Sequence, residues 1–269
     1  MKRYLVFRGF GLALFWMMLP LTGNAQAQLH VSGQLGLPIE EYGDNVSTVG
    51  GGLNLHFAVP VDDDWPLAFG ADLGWMNIGN HEERIDETLT LSNPGLGVSF
   101  DVPLNYRIVT NSNFVHGHAL ARLRPPVDWR VVPYLDALAG IRYLYTRTRI
   151  IEIDEEDANY PDTEVDEDVE TVVNADTHIN DWVWSYGYGG GLQFRLAEGV
   201  AIDLRALWLR GTEAEYYDRE DVESWDFSFE ANEATQDVET DGTLTVEAQP
   251  RASRTDLVMV GLGFVFNLD

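Results

Sequence analysis

The sequence predicts an all-β protein: a closed antiparallel eight-stranded transmembrane β-barrel with short periplasmic turns and long acidic extracellular loops. Three observations carry that expectation. A two-residue alternation recurs along the chain, an export leader opens it, and both link length and negative charge concentrate in a few connections. Successive side chains of a strand leave on opposite faces, so residues 181–199, DWVWSYGYGGGLQFRLAEG, separate into two ribbons. Trp182, Trp184, Tyr186, Tyr188, Leu192, Phe194 and Leu196 share one; Asp181, Ser185, Gly187, Gly189, Gly191, Gln193 and Arg195 share the other. A soluble sheet would bury the aromatic ribbon, whereas a membrane barrel turns it to lipid.

The first residues point to export. Lys2, Arg3 and Arg8 form a positive leader, residues 9–21 are an apolar run, and Ala25-Gln26-Ala27 offers the small residues a signal peptidase reads. The expected division is a signal peptide at 1–27 and an outer-membrane barrel domain at 28–269. The apolar run falls short of the roughly 20 residues of a spanning helix. The chain has no cysteine, which excludes a cysteine-linked lipid anchor and a disulfide scaffold. Mean hydropathy is only −0.16, as expected where apolar residues occupy alternate positions.

Eight segments alternate. Residues 29–39 oppose Leu29, Val31, Leu35 and Leu37 to His30, Ser32, Gln34 and Gly36. Residues 48–60 set Leu53, Leu55 and Phe57 against Gly52, Asn54 and His56, and 67–75 set Phe69, Leu73 and Trp75 against Gly70, Asp72 and Gly74. The cleanest, 96–108, sets Val98, Phe100, Val102, Leu104, Tyr106 and Ile108 against Ser99, Asp101, Asn105 and Arg107. The series continues at 135–146, 181–196, 200–208 and 258–268, each long enough for the roughly 9–11 residues of a tilted spanning strand. With a periplasmic amino terminus, the long links at 151–180 and 212–253 face outward, while the Asp62 region and 197–199 make inner turns. Residues 109–130 do not fit this scheme and are expected to form an irregular inner flap. Trp65, Trp75, Trp182, Trp184, Trp208, Tyr106, Phe264 and Phe266 fall toward strand ends, as interfacial aromatic girdles do.

On the leader, the strand number, the loop asymmetry, the glycine-rich inner faces and the last strand GLGFVFNLD, the chain resembles the eight-stranded outer-membrane barrels of the OmpA transmembrane domain and OmpX kind. The resemblance covers nearly all of residues 28–269 and implies a monomer held in outer-membrane lipid. The chain departs from many such barrels by ending in Asp269 rather than an aromatic residue, which would move insertion recognition to Phe264 and Phe266.

Inside so narrow a barrel there is room only for its own side chains. Asp72, Asp101, Asp136 and Asp203 are expected to face the lumen with Arg107, Arg142, Arg195 and Arg205, because a carboxylate stripped of water must find a counter-charge. The expected result is a plug of Asp/Arg pairs; the sharper alternative is a gated ion path. His30 and His56 are expected to be hydrogen-bonded filler, since two imidazoles do not complete a metal shell. His116 and His118 share a face if extended, but sit in the expected flap. Catalysis is not expected. His30 and Ser32 share a face, as in a lipid A deacylase-like barrel, yet no acid completes a triad. No cofactor is expected. A secreted lipocalin-like carrier would place its apolar residues inside and its charges outside.

The formal net charge of −27 becomes −30 once Lys2, Arg3 and Arg8 leave with the leader, which excludes nucleic acid as a partner. Lys2 is the sole lysine, a balance also found in proteins of saline habitats, where salt screens carboxylate repulsion. Residues 152–176 hold twelve acids and residues 213–247 thirteen, the latter against Arg219 alone. Such loops repel internally and stay hydrated. They are also candidates for divalent cations, at Asp154, Glu155, Asp157, Asp166 and Asp168, or for a cationic surface partner.

Overall fold

The computed structural model describes residues 26–46, 48–62, 64–93, 98–153, 170–218, 221 and 250–268. Eight antiparallel strands close into a barrel: β1 (Ala27–Pro38), β2 (Gly50–Pro60), β3 (Leu67–Asn93), β4 (Val98–Leu123), β5 (Val131–Ile153), β6 (Glu170–Ala197), β7 (Val200–Gly211) and β10 (Leu257–Leu268). Each strand pairs with its sequence neighbour in the wall, and β1 closes on β10 from Ala27↔Leu268 to Pro38↔Leu257. Both ends of the described chain thus lie at one end of the barrel, the turn end. There the links are short: 61–66 between β2 and β3, 124–130 between β4 and β5, and 198–199 between β6 and β7. The last is tight enough to need Gly199 at φ 75°, a backbone that side chains disfavour. A short helix, α1 (Glu40–Asn45), joins β1 to β2 at the opposite, loop end, beside a two-stranded sheet of β8 (Glu213–Tyr216) and β9 (Arg251–Arg254).

The wall is not level. Pairing of β2 with β3 stops at Gly51↔Asn77 and that of β6 with β7 at Ser185↔Gly211. In contrast, β3 and β4 pair as far as Asn93↔Val98, β4 and β5 as far as Tyr106↔Glu152, and β5 and β6 as far as Ile153↔Glu170. Four strands therefore rise past the barrel as a ribbon, which accounts for strands of 23 to 28 residues. This corrects the expected organisation in three places. Residues 109–123 are no flap; they belong to β4, and 113–123 are its part of the barrel wall, from Asn113↔Asn77 to Leu123↔Leu67. Residues 98–108, the cleanest alternation in the sequence, belong to the ribbon above it. The described part of the expected 151–180 loop is β5 and β6. The count of eight survives because the two halves of β4 are one strand.

The faces separate by physical character. Outside, Leu35, Leu53, Leu55, Phe69, Leu73, Leu135, Leu204, Leu262 and Phe264 are all exposed, an apolar belt that water would not tolerate on this scale and lipid would. Trp75, Tyr143 and Trp182 follow one another across β3 to β6 near the loop end, with Tyr143 and Trp182 ring centroids 4.6 Å apart, while Trp65 and Phe266 sit toward the turn end. Inside, polar and apolar residues alike are buried, and the inner glycines allow the strands to curve. A side chain at Gly70 or Gly140 would run into the neighbouring strand's carbonyl, of Phe57 and Gly117 respectively. A lipocalin-like carrier is the inverse of this distribution. Among the described residues no helix is long and apolar enough to cross a membrane.

Candidate functional site

The lumen has two layers, and the lower, toward the turn end, holds the charge. At its centre lies Arg122 of β4, fully buried at 0% exposure. Its Nε donates to Asp136 Oδ1 at 2.7 Å and its Nη2 to Asp136 Oδ2 at 2.9 Å, the two-pronged grip for which a guanidinium is shaped. The same guanidinium reaches His30 Nε2 at 3.0 Å and His56 Nε2 at 3.1 Å and lies 3.8 Å from the Tyr134 ring centroid. Because arginine only donates, both Nε2 atoms must accept, which leaves the His30 proton on Nδ1. His30 Nδ1 then donates to Asp203 Oδ2 at 3.3 Å, and His56 Nδ1 lies 3.2 Å from Asn54 Oδ1 and 3.3 Å from Arg205 Nη1. The two rings stack with centroids 3.7 Å apart. The Tyr134 hydroxyl completes Asp203, 2.8 Å from Oδ1.

Arg205 of β7 bridges the remaining acids. Its Nε donates to Asp136 Oδ2 at 2.9 Å and its Nη1 to Asp72 Oδ2 at 2.5 Å. The other oxygen of Asp72 accepts from Asn54 Nδ2 at 3.1 Å and lies 3.1 Å from His116 Nε2. His118 is the next inward residue of β4, with its Nδ1 3.9 Å from Asp72 Oδ1. Asp72, Asp136, Asp203, Arg122, Arg205 and the four histidines therefore form one buried cluster spanning β1, β2, β3, β4, β5 and β7. Uncompensated, each of these charges would cost several kcal/mol away from water, so each partner holds the others in place.

The upper layer is apolar apart from Arg142. Met76, Phe114, Leu138, Leu144, Val183, Leu207, Leu209, Leu257 and Met259 pack in one cluster that continues upward into Ile78, Val46, Tyr42 of α1, and Ala214 and Tyr216 of β8. Tyr42 meets Tyr216 edge-on at 5.2 Å, and burial raises its phenol above the ordinary range, so the hydroxyl keeps its proton. At the turn end a vestibule of about 320 Å³, lined by Gln28, Trp65, Arg124, Arg195 and Asn267 among others, reaches Arg122.

The predicted residues divide accordingly. Asp72, Asp136, Asp203 and Arg205 meet in the lower layer. Arg142 is inward and buried, but its Nη1 donates to the Thr255 carbonyl at 2.6 Å and its guanidinium stands 5.8 Å from the Phe114 ring, in the upper layer and away from those carboxylates. Arg195 sits at the turn-end rim, where it pairs with the exposed Asp128. Arg107 stands on the ribbon, 3.7 Å from Glu82. The reason is parity. Ile108, expected to face lipid, is buried at 1% on the inner side, so its neighbour Arg107 points the other way. Asp101 pairs through its backbone with Thr90 on the same ribbon, and its side chain lies outside the described residues. So do the leader through residue 25, the candidate cation ligands Asp154, Glu155, Asp157, Asp166 and Asp168, and most of the second acidic loop.

Sequence reasoning missed Arg122, Tyr134, His116 and His118 as members of one site. A signal was present: Phe114, His116, His118, Leu120 and Arg122 keep a strict period of two. The catalytic alternative built on His30 and Ser32 meets an obstacle, because His30 Nε2 accepts from Arg122 and its Nδ1 donates to Asp203, leaving no nitrogen to take a hydroxyl proton.

No protein family and no curated protein matches the sequence. Among solved structures, the chain is similar to Ail, the attachment invasion locus protein of Yersinia pestis, at 12% identity and a TM-score of 0.34, over 91% of this chain and 99% of that one. It is also similar to the Neisserial surface protein A, at 11% identity and a TM-score of 0.34, over 91% and 97%. A major outer membrane protein from Thermus thermophilus is similar at 12% identity and a TM-score of 0.38, over 90% and 99%. Likenesses this remote transfer no function to the chain; the architecture stands on its own strand pairing.

Proposed function

We propose that the chain is an integral outer-membrane protein with a closed lumen, whose role is structural or lies in contacts made at the cell surface. The observation that carries this reading is the double filling of the lumen: a fully paired Arg122–Asp136–Arg205–Asp72 chain below and the Met76–Phe114–Leu209–Leu257 cluster above. An eight-stranded barrel leaves no bore once its own side chains are in place. The turn end with its short links faces the periplasm, and the β3–β6 ribbon stands outside with the two acidic loops. Those loops and the strand ends that lead into them carry twenty-five of the forty-four carboxylates, a field suited to divalent cations or a basic surface partner. Removal of the leader and a monomeric state belong to the same reading, and catalysis does not.

Planar-bilayer recording of refolded protein tests it. The closed reading expects no discrete conductance steps at any voltage the bilayer withstands. Reproducible steps that change with Arg122→Ala would replace it by the small or gated pore.

A further inference from the structure

Two groups of side chains in the lower lumen have the composition of metal ligands: His30, His56 and Asp203, and Asp72, His116 and His118. They differ in how much bonding capacity remains. The first group is spent. Arg122 occupies Nε2 of both imidazoles, while Nδ1 of His30 meets Asp203 and Nδ1 of His56 meets Asn54 and Arg205. In the second, neither nitrogen of His118 has a hydrogen-bond partner although the residue is 2% exposed, and His116 Nδ1 has none either. Buried polar atoms are rarely left so, and where they are, a missing ligand is one of the standard reasons.

The surroundings favour a cation there. The lower cluster sets three carboxylates, Asp72, Asp136 and Asp203, against two guanidiniums, Arg122 and Arg205, so the acids outnumber the arginines by one. Arg142, one layer up, gives its Nη1 to the Thr255 carbonyl and is bonded to none of these carboxylates. Asp72 is already oriented by Arg205 on Oδ2 and Asn54 on Oδ1, the kind of outer support that metal-bound carboxylates have. Gly74, the next inward residue of β3, makes room: a side chain there would strike the His116 ring.

We propose that Asp72, His116 and His118 form a buried site for a divalent transition-metal ion of the zinc type, bound by one carboxylate oxygen, His116 Nε2 and His118 Nδ1. One ligand atom from each residue lies within 4.8 Å of the other two, and Asp72 Oδ1 stands 3.1 Å from His116 Nε2 and 3.9 Å from His118 Nδ1. Ligands about 2.0–2.2 Å from a tetrahedral zinc sit some 3.3–3.5 Å apart, so closing the site requires only side-chain adjustments. Two imidazoles and one carboxylate leave at least one coordination position for water. The inference does not depend on the surface role proposed above, since a closed lumen without metal and a metal-bearing lumen that conducts are both distinguishable outcomes.

The test uses the full mature chain, refolded in detergent, stripped with chelator and titrated with Zn²⁺ by calorimetry and with Co²⁺ by visible absorption. One Zn²⁺ per chain and the visible bands of low-symmetry Co²⁺ are expected. His116→Ala and His118→Gln, each shown to be folded by its heat-modifiable gel shift, should weaken Zn²⁺ binding by more than about tenfold, the least that a change beside a metal site produces. His81→Ala on the ribbon should leave it unchanged. Wild-type protein that gives no Co²⁺ bands and binds no Zn²⁺ overturns the proposal, whatever the variants do. Zinc binding that persists undiminished in folded His116→Ala and His118→Gln overturns it too, and assigns the ion to the acidic loops.

Discussion

The two layers of the lumen close the same tube by different physics. The lower layer does it by directional pairing: Arg122 alone engages Asp136, His30 and His56, so one guanidinium links strands β1, β2, β4 and β5. The upper layer does it by volume, with Phe114, Met76, Leu209 and Leu257 at 2% exposure or less and no directional bond among their side chains. The difference teaches which changes each can absorb. An apolar layer loses stability in proportion to the volume removed. A charged layer fails by leaving a partner stranded, a cost that does not depend on volume.

The largest effect expected is therefore at Arg122. Arg122→Ala leaves Asp136 with Arg205 alone and both Nε2 acceptors empty, and should cost about 3–5 kcal/mol, read as a lower urea midpoint for the folded band in lipid vesicles. A loss under about 1 kcal/mol, the range of exposed pairs, would mean that the lower layer is wetter than its burial implies. Leu209→Ala in the upper layer should cost somewhat less, about 2–4 kcal/mol by the same assay, with no dependence on salt. The comparison sharpens in conductance. Each single variant should stay silent in planar bilayers because the other layer still closes the tube, whereas Arg122→Ala combined with Leu209→Ala is the variant expected to leak. Steps in Arg122→Ala alone would show that the upper layer is no barrier. Smallest are the pairs outside both layers: Arg195→Ala, at the exposed pair with Asp128, and Arg107→Ala, facing Glu82, should each shift stability by less than about 1 kcal/mol.

The strand-by-strand alternation was legible wherever a strand stays within the wall. In β1, β2, β7 and β10 residue type alone separates the inward from the outward set: Leu53, Leu204 and Leu262 are exposed while His56, Asp203 and Met259 are buried. What alternation does not encode is height. Residues 98–108 alternate more cleanly than any wall segment, yet they pair above the barrel. The wall half of β4 presents Val115, Gly117, Ala119 and Ala121 outward, too weak an apolar ribbon to announce a membrane face. That misplacement carried Asp101 and Arg107 into the expected lumen network and left Arg122, His116 and His118 out of it. Arg142 shows a second limit. Its inward face was readable, but its level in the tube, beside Phe114 and Thr255 rather than the carboxylates, follows from register across strands distant in sequence.

The account rests most heavily on which ribbon of each strand meets lipid. The absence of native cysteine makes that directly measurable by nitroxide labels at single introduced cysteines along β10, with protein reconstituted in vesicles. Labels at Leu262→Cys and Phe264→Cys should relax strongly with oxygen dissolved in the bilayer and little with a water-soluble nickel complex. Labels at Met259→Cys and Val265→Cys, on the opposite ribbon, should be shielded from both. Oxygen contact at 259 and 265 with shielding at 262 and 264 would contradict the account, because it would place the apolar ribbon inside and the charged one outside.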